Sequence, residues 1–157
     1  MGNLLILNGS PRAPRSNSRR YAQIFSSCYG ENTEYFDITK RNHPELCAKL
    51  AGTSHVLFAF PLYADGLPVT LLNFLKSLEA APPQNKPTVS VLINCGFLEP
   101  QQNEMAVEMM RLFCRQNHYP FGSVLKIGSG EAILDSPFRF LAVRKIRRFA
   151  GSIAKGS

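Results

Sequence analysis

The chain has 157 residues, 45% of them apolar, which suits a compact domain with a core of its own and excludes a disordered polymer. No apolar run approaches the roughly 20 residues that a membrane-spanning helix needs. Eighteen Lys and Arg against eleven Asp and Glu leave a net charge of +7, a balance that attracts anions in general and selects no partner by itself.

Two kinds of segment alternate along the chain. Leu4-Leu5-Ile6-Leu7 is a short continuous apolar run, the pattern of a strand covered on both faces. Asn8-Gly9-Ser10-Pro11 breaks it. Ser16-Asn17-Ser18 then opens a helix with Tyr21, Ile24, Phe25 and Cys28 at helical spacing, ended by Gly30. Thr33 to Asp37 reads as a second, less apolar strand. Asn42 is placed to cap a short helix from about Pro44 to Leu50, stopped by Gly52. His55 to Phe60 is a third strand. Pro68 starts a helix whose stripe is Leu71, Leu72, Leu75 and Leu78. Pro82 to Asn85 is a loop, and Thr88 to Asn94 a fourth strand. Pro100 precedes a helix expected to turn Met105, Met109, Leu112 and Phe113 inward, closed by Tyr119-Pro120. Ser123 to Ile127 is the fifth strand. The last helix is expected from about Ser136 to Ala154, with Ala142, Ile146, Phe149, Ala150 and Ile153 inside and six basic residues (Arg139, Arg144, Lys145, Arg147, Arg148, Lys155) over most of the rest.

Five strands alternating with five helices predict an α/β fold with a doubly wound parallel sheet and right-handed crossovers. No linker or repeat divides it, so residues 1–157 are expected to form one domain. The apolar start is too short for a signal peptide, which predicts a cytoplasmic protein with no membrane partner. Cys28, Cys47, Cys95 and Cys114, like His43, His55 and His118, are scattered without metal or redox spacing. Neither a metal site, an iron–sulfur cluster nor a disulfide is expected.

In doubly wound sheets, ligands sit beyond the carboxyl ends of the strands, where strand order reverses. The loop after the first strand, from Asn8 to Ser18, offers hydroxyls at Ser10, Ser16 and Ser18, an amide at Asn17 and charge at Arg12, and it runs into a helix N-terminus. That set suits a phosphate, and it equally suits an ordinary capped loop. It is neither a P-loop nor a three-glycine dinucleotide fingerprint. After the third strand, Pro61-Leu62-Tyr63-Ala64-Asp65-Gly66 is stiffened by proline, turns at Gly66 and presents Tyr63 as a flat face. After the fourth, Asn94-Cys95-Gly96-Phe97 allows close backbone approach at Gly96. No histidine is paired with Cys95, so a nucleophilic role is not indicated. Gly128-Ser129-Gly130-Glu131 follows the fifth strand.

Together these loops resemble those of the flavodoxin-like NAD(P)H-dependent FMN reductase family. Asn8 to Arg12 with Ser16-Asn17-Ser18 is similar to its phosphate loop, and Pro61-Leu62-Tyr63 with Asp65-Gly66 and Leu67-Pro68 to its isoalloxazine loop. Asn94 to Phe97, with Glu99 and Gln102 following, is a looser match. The resemblance implies a three-layer sandwich with strand order 2-1-3-4-5. It implies FMN with its phosphate on Ser10, Arg12, Ser16, Asn17 and Ser18, and its ring against Pro61 to Gly66 and Asn94 to Phe97. NADPH or NADH would be the hydride donor and a small molecule (quinone, flavin, azo or nitro compound, or metal ion) the acceptor, in a homodimer or tetramer. No side-chain acid or base is required, so no catalytic residue is named. Two other functions compete with this one: an electron carrier without NAD(P)H activity, and a binder of nucleic acid or an anionic surface through the basic last helix. A solvated basic face is the commoner case, which places the latter lowest.

Overall fold

Leu4 to Leu7, Val56 to Phe60 and Val89 to Ile93 are all at most 1% exposed, as strands covered on both sides by helices must be. The computed structural model describes residues 3–11, 17–30, 32–62, 66–94, 100–127 and 134–156. Its strands are β1 (Leu4–Asn8), β2 (Thr33–Asp37), β3 (His55–Pro61), β4 (Thr88–Asn94) and β5 (Phe121–Ile127). Its helices are α1 (Asn17–Tyr29), α2 (His43–Ala51), α3 (Val69–Ala80), α4 (Pro100–Gln116) and α5 (Arg139–Gly156). The sheet is wholly parallel, in the order β2-β1-β3-β4-β5, which is the expected 2-1-3-4-5.

Successive strand residues point to opposite faces. Leu5, Leu7, Phe58, Phe60 and Val91 meet Leu46, Leu50, Leu71, Phe74 and Met110 of α2, α3 and α4. Leu4, Ile6, Leu57 and Leu92 meet Tyr21, Phe25, Ile146 and Phe149 of α1 and α5. The edge strand β2 is only half-buried, in line with its less apolar sequence.

Three local expectations need correcting. In α4, Met105 is 60% and Leu112 47% exposed, while Ala106, Val107, Met110 and Cys114 face the core. Asn42 precedes α2 without a side-chain cap; instead it accepts from the Thr39 N–H at 2.9 Å and donates to the Asp37 carbonyl at 2.8 Å. The last helix begins at Arg139, not Ser136; Ser136 lies in the turn before it, its hydroxyl accepting the Phe138 N–H at 3.1 Å.

At the amino end of the sheet, β5 carries a bulge. Val89 pairs with Phe121 and Val91 with Val124, so two residues, Gly122 and Ser123, oppose Ser90. The hydroxyl of Ser90 accepts the Ser123 N–H at 3.1 Å, satisfying a donor in the disrupted ladder. The same hydroxyl is hydrogen-bonded to His55 Nε2 at 2.8 Å. A Cβ on Gly122 would lie 2.7 Å from the Ser90 oxygen and 3.0 Å from Thr88 Cγ2. Because the Ser90 oxygen is held by two hydrogen bonds, it cannot swing aside freely. Gly122→Ala is therefore expected to cost about 1–3 kcal/mol of stability, measured by urea unfolding.

His55 is 3% exposed, and its Nδ1 has no partner among the described residues. Burial lowers its pKa from 6.5 to about 4. As pH falls below 6.5 the unfolded chain takes up a proton that the folded chain refuses until about pH 4, so stability falls through this window. The loss from this group is up to about 3 kcal/mol. Comparing unfolding free energies across this range, His55→Gln should show a shallower decline than the parent.

Candidate functional site

In a sheet of this order the direction of strand addition reverses between β1 and β3, and doubly wound folds bind ligands beyond the carboxyl ends of the strands at that point. The backbone there is closely tied. Gly9 N–H donates to the Ala59 carbonyl at 2.8 Å, and Leu62 N–H to the Asn94 carbonyl at 2.8 Å. Pro61 and Asn94, the last residues of β3 and β4, lie opposite each other. The Ser18 hydroxyl donates to Asn94 Oδ1 at 2.8 Å. Ser18 is fully buried and Asn94 nearly so; this bond pins the start of α1 to the end of β4.

Asn8, the last residue of β1, organises the other side. Its Oδ1 accepts the Ser10 N–H at 3.0 Å. Its amide donates to the Tyr35 hydroxyl at 2.9 Å and to Asp37 Oδ1 at 3.2 Å. Tyr35 also donates to Asp37, and Arg19 pairs with Asp37 at 3.2 Å while lying over the Tyr35 ring. Burial first, then the bond to the Asp37 carboxylate, raises the Tyr35 pKa, so its hydroxyl stays protonated. Arg20 grips Asp135 with two bonds, 2.8 and 3.2 Å, and accordingly the Arg20 pKa is raised and that of Asp135 lowered. This pair joins the start of α1 to the turn that leads into α5. Arg20 also donates to Asn17 Oδ1 at 3.3 Å.

Seven of the residues singled out in the sequence are described. Ser18, Leu62 and Asn94 converge on the bonds above. Asn17 heads α1, whose first turn contains no carboxylate, and Pro61 is half-buried at the end of β3. Ser10 is buried and, with Pro11, Thr39, Lys40, His43 and Thr70, lines a cavity of about 300 Å³. Gly66 is buried with a φ of +99°, and a Cβ there would meet Met109 Sδ at 3.2 Å; both conformation and space call for glycine. Arg12, Ser16, Tyr63, Ala64, Asp65, Cys95, Gly96 and Phe97 lie outside the described residues. The sequence reading placed Asn8 in the phosphate loop without a role of its own and overlooked Arg19, Tyr35 and Asp37. Their signal was positional: Asn8 and Asp37 are polar residues closing β1 and β2.

A larger groove of about 760 Å³ runs between α2, α3 and the 81–85 turn. It lies along the flanks of these helices and shares Lys40 and His43 with the smaller cavity at Ser10. Among the described residues no group of three His, Cys, Asp or Glu is placed to hold a metal ion. Cys28, Cys47 and Cys114 are free thiols, and burial raises the pKa of Cys114 to about 12.

Neither the protein-family models nor the sequences of curated proteins provide a match. Solved structures do. An FMN-dependent NADH-azoreductase from Bacillus anthracis aligns over 98% of this chain and 100% of its own, with a TM-score of 0.73 and 12% identity. An NAD(P)H:quinone oxidoreductase from Methanothermobacter marburgensis aligns over 95% and 94%, with a TM-score of 0.72 and 16% identity. The flavodoxin of Streptococcus pneumoniae TIGR4 aligns over 99% of both chains, with a TM-score of 0.70 and 13% identity. At such identities the likeness establishes the fold, which is flavodoxin-like.

Removing the Ser18 hydroxyl leaves Asn94 Oδ1 without that donor in a buried setting. Ser18→Ala is expected to lower stability by about 1–3 kcal/mol, read from the shift in denaturation midpoint at unchanged slope.

Proposed function

We propose that this chain is an FMN-dependent oxidoreductase that takes hydride from NADPH or NADH and passes electrons to a small acceptor such as a quinone, a flavin, an azo or nitro compound, or a metal ion. One observation carries the reading: at the β1/β3 reversal point, a donor-bearing loop enters α1, and the first turn of α1 has no carboxylate to repel an anion. The FMN-dependent and NAD(P)H-dependent enzymes among the structural neighbours support it.

The donor set fits a phosphate. First-turn N–H groups of a helix have no partner within the helix, and the dipole adds partial positive charge. Ser10, Arg12, Ser16 and Asn17 would hold the phosphate alongside those groups. Ser18 would act through its main-chain N–H, since its hydroxyl is committed to Asn94. Pro61 to Gly66 and Asn94 to Phe97 would flank the ring. When bound, FMN supplies the hydride chemistry, and the protein supplies position and electrostatics. The Asn8–Tyr35–Asp37–Arg19 network would keep the β1 loop fixed without presenting a bare carboxylate. We place the protein in the cytoplasm as a homodimer or tetramer. The likeness to a flavodoxin also raises an electron carrier without nicotinamide activity; the +7 charge speaks against it, since such carriers usually present acidic surfaces.

Purified protein mixed with FMN and either nucleotide under air is expected to consume the nicotinamide; no flavin reduction by NADPH or NADH would reject the proposal. Ser10→Ala combined with Arg12→Ala should weaken FMN binding by roughly 2–4 kcal/mol, followed by flavin fluorescence titration.

A further inference from the structure

Helix α5 is 18 residues long and contains six Lys or Arg and no Asp or Glu. All six cations are exposed, and α1, packed beside it, also lacks acidic residues. None of the ion pairs among the described residues includes an α5 cation. At about 3.6 residues per turn, Phe140, Leu141, Arg144, Arg147, Arg148 and Lys155 fall on one side. That side is opposite Ala142, Ile146, Phe149, Ala150 and Ile153, which are buried.

The apolar members of this outer face are not hidden. Phe140 is 54% and Leu141 38% exposed, and Phe138, just before the helix, is 59% exposed. The Arg144 guanidinium lies 5.9 Å from the centre of the Phe140 ring, so cation and aromatic surface alternate along the helix. Ser136 and Asp135 brace this end through the Phe138 N–H and through Arg20. The apolar tip is therefore presented on a held turn.

We infer that the outer face of α5 is a docking surface for an anionic lipid bilayer, the cations meeting lipid phosphates and Phe138, Phe140 and Leu141 entering the headgroup layer. A helix with four to eight Lys or Arg on its polar face and aromatic or aliphatic residues beside them binds such surfaces by both terms together. The charge complementarity is one-sided along the whole helix. The face is that of a single convex helix, which suits a plane. The exposed apolar side chains Phe138, Phe140 and Leu141 gain burial in a headgroup layer and none along a duplex phosphate backbone, which favours lipid over nucleic acid. This departs from the sequence-based expectation of no membrane partner, which ranked an anionic-surface role lowest; no described helix is long and apolar enough to cross a membrane, and surface docking requires no such span. The inference stands independently of the flavin proposal.

The test is co-sedimentation of the full chain with vesicles of phosphatidylcholine alone and of phosphatidylcholine mixed with phosphatidylglycerol. The protein is expected to sediment with the anionic vesicles only, and to be released by high salt. Arg144→Gln with Arg147→Gln and Arg148→Gln should lower the partition coefficient about a hundredfold, close to fivefold for each cation removed. Phe140→Ser with Leu141→Ser should also lower it. These exposed positions should leave the thermal midpoint unchanged, and the two variants act on separate terms, so each checks the other. Equal recovery with neutral vesicles, no recovery with either kind, or binding unaffected by both variants overturns the inference. So does tighter retention by double-stranded DNA than by anionic vesicles, or a dimer that Phe140→Ser with Leu141→Ser dissolves, which would assign the face to a second copy of the chain.

Discussion

Burial of β1, β3 and β4 on both faces governs where polarity is permitted in this molecule. A side chain in the middle of those strands has no water to turn to, and an unpaired polar group there costs the free energy of its lost hydration. The polar residues of the central strands accordingly sit near their ends. Asn8 and Asn94 close β1 and β4 at the carboxyl end, while His55 and Ser90 lie toward the amino end, and all four are nearly inaccessible. Each is hydrogen-bonded to a residue distant in sequence. The sheet thus ends in two small polar clusters separated by an apolar middle.

The carboxyl-end cluster fixes the framework from which the candidate binding loops depart. Asn94 receives the Leu62 N–H on its carbonyl and the Ser18 hydroxyl on its side chain, so one residue sets three chain segments against each other. Asn8 does the same for the β1 loop and the end of β2. The arginines of the first turn of α1 are directed sideways, Arg19 to Asp37 and Arg20 to Asp135. They orient the helix, and the end of the helix itself remains the positive feature facing the candidate site. Under the proposed function this frame would hold FMN through geometry and dipoles, without an acid or base.

The fold was legible because the code for it is local and repetitive. Leu4-Leu5-Ile6-Leu7 and Val56 to Phe60 announce strands covered on both faces, and the spacing of Tyr21 and Phe25 or of Ile146 and Phe149 announces helices. What failed was finer. Of the expected α4 stripe, Met109 and Phe113 pack against the core, but Met105 and Leu112 are exposed and Ala106, Met110 and Cys114 take the inner places; periodicity alone does not choose between such adjacent stripes. Asn42 resembles a helix cap in sequence, yet its side-chain oxygen accepts the Thr39 N–H instead of a helix N–H. Within the candidate site, loop composition pointed to Ser18 and Asn94 as ligand-facing groups. Their bond to each other joins residues far apart in the chain, and no pattern along the sequence expresses such a pairing. The same holds for Tyr35, whose partners come from β1, β2 and α1.

The bulge at Gly122 and Ser123 bears on assembly. An edge strand displays a row of unsatisfied backbone groups to which a strand from another molecule can add, and an extra residue that kinks the strand disrupts that template. β5 is the outer strand on its side of the sheet, and its irregularity lies between Val89 and Val91 of its neighbour. Any self-association of this protein would accordingly be diverted from continuing the sheet across that border toward contacts made by its helices.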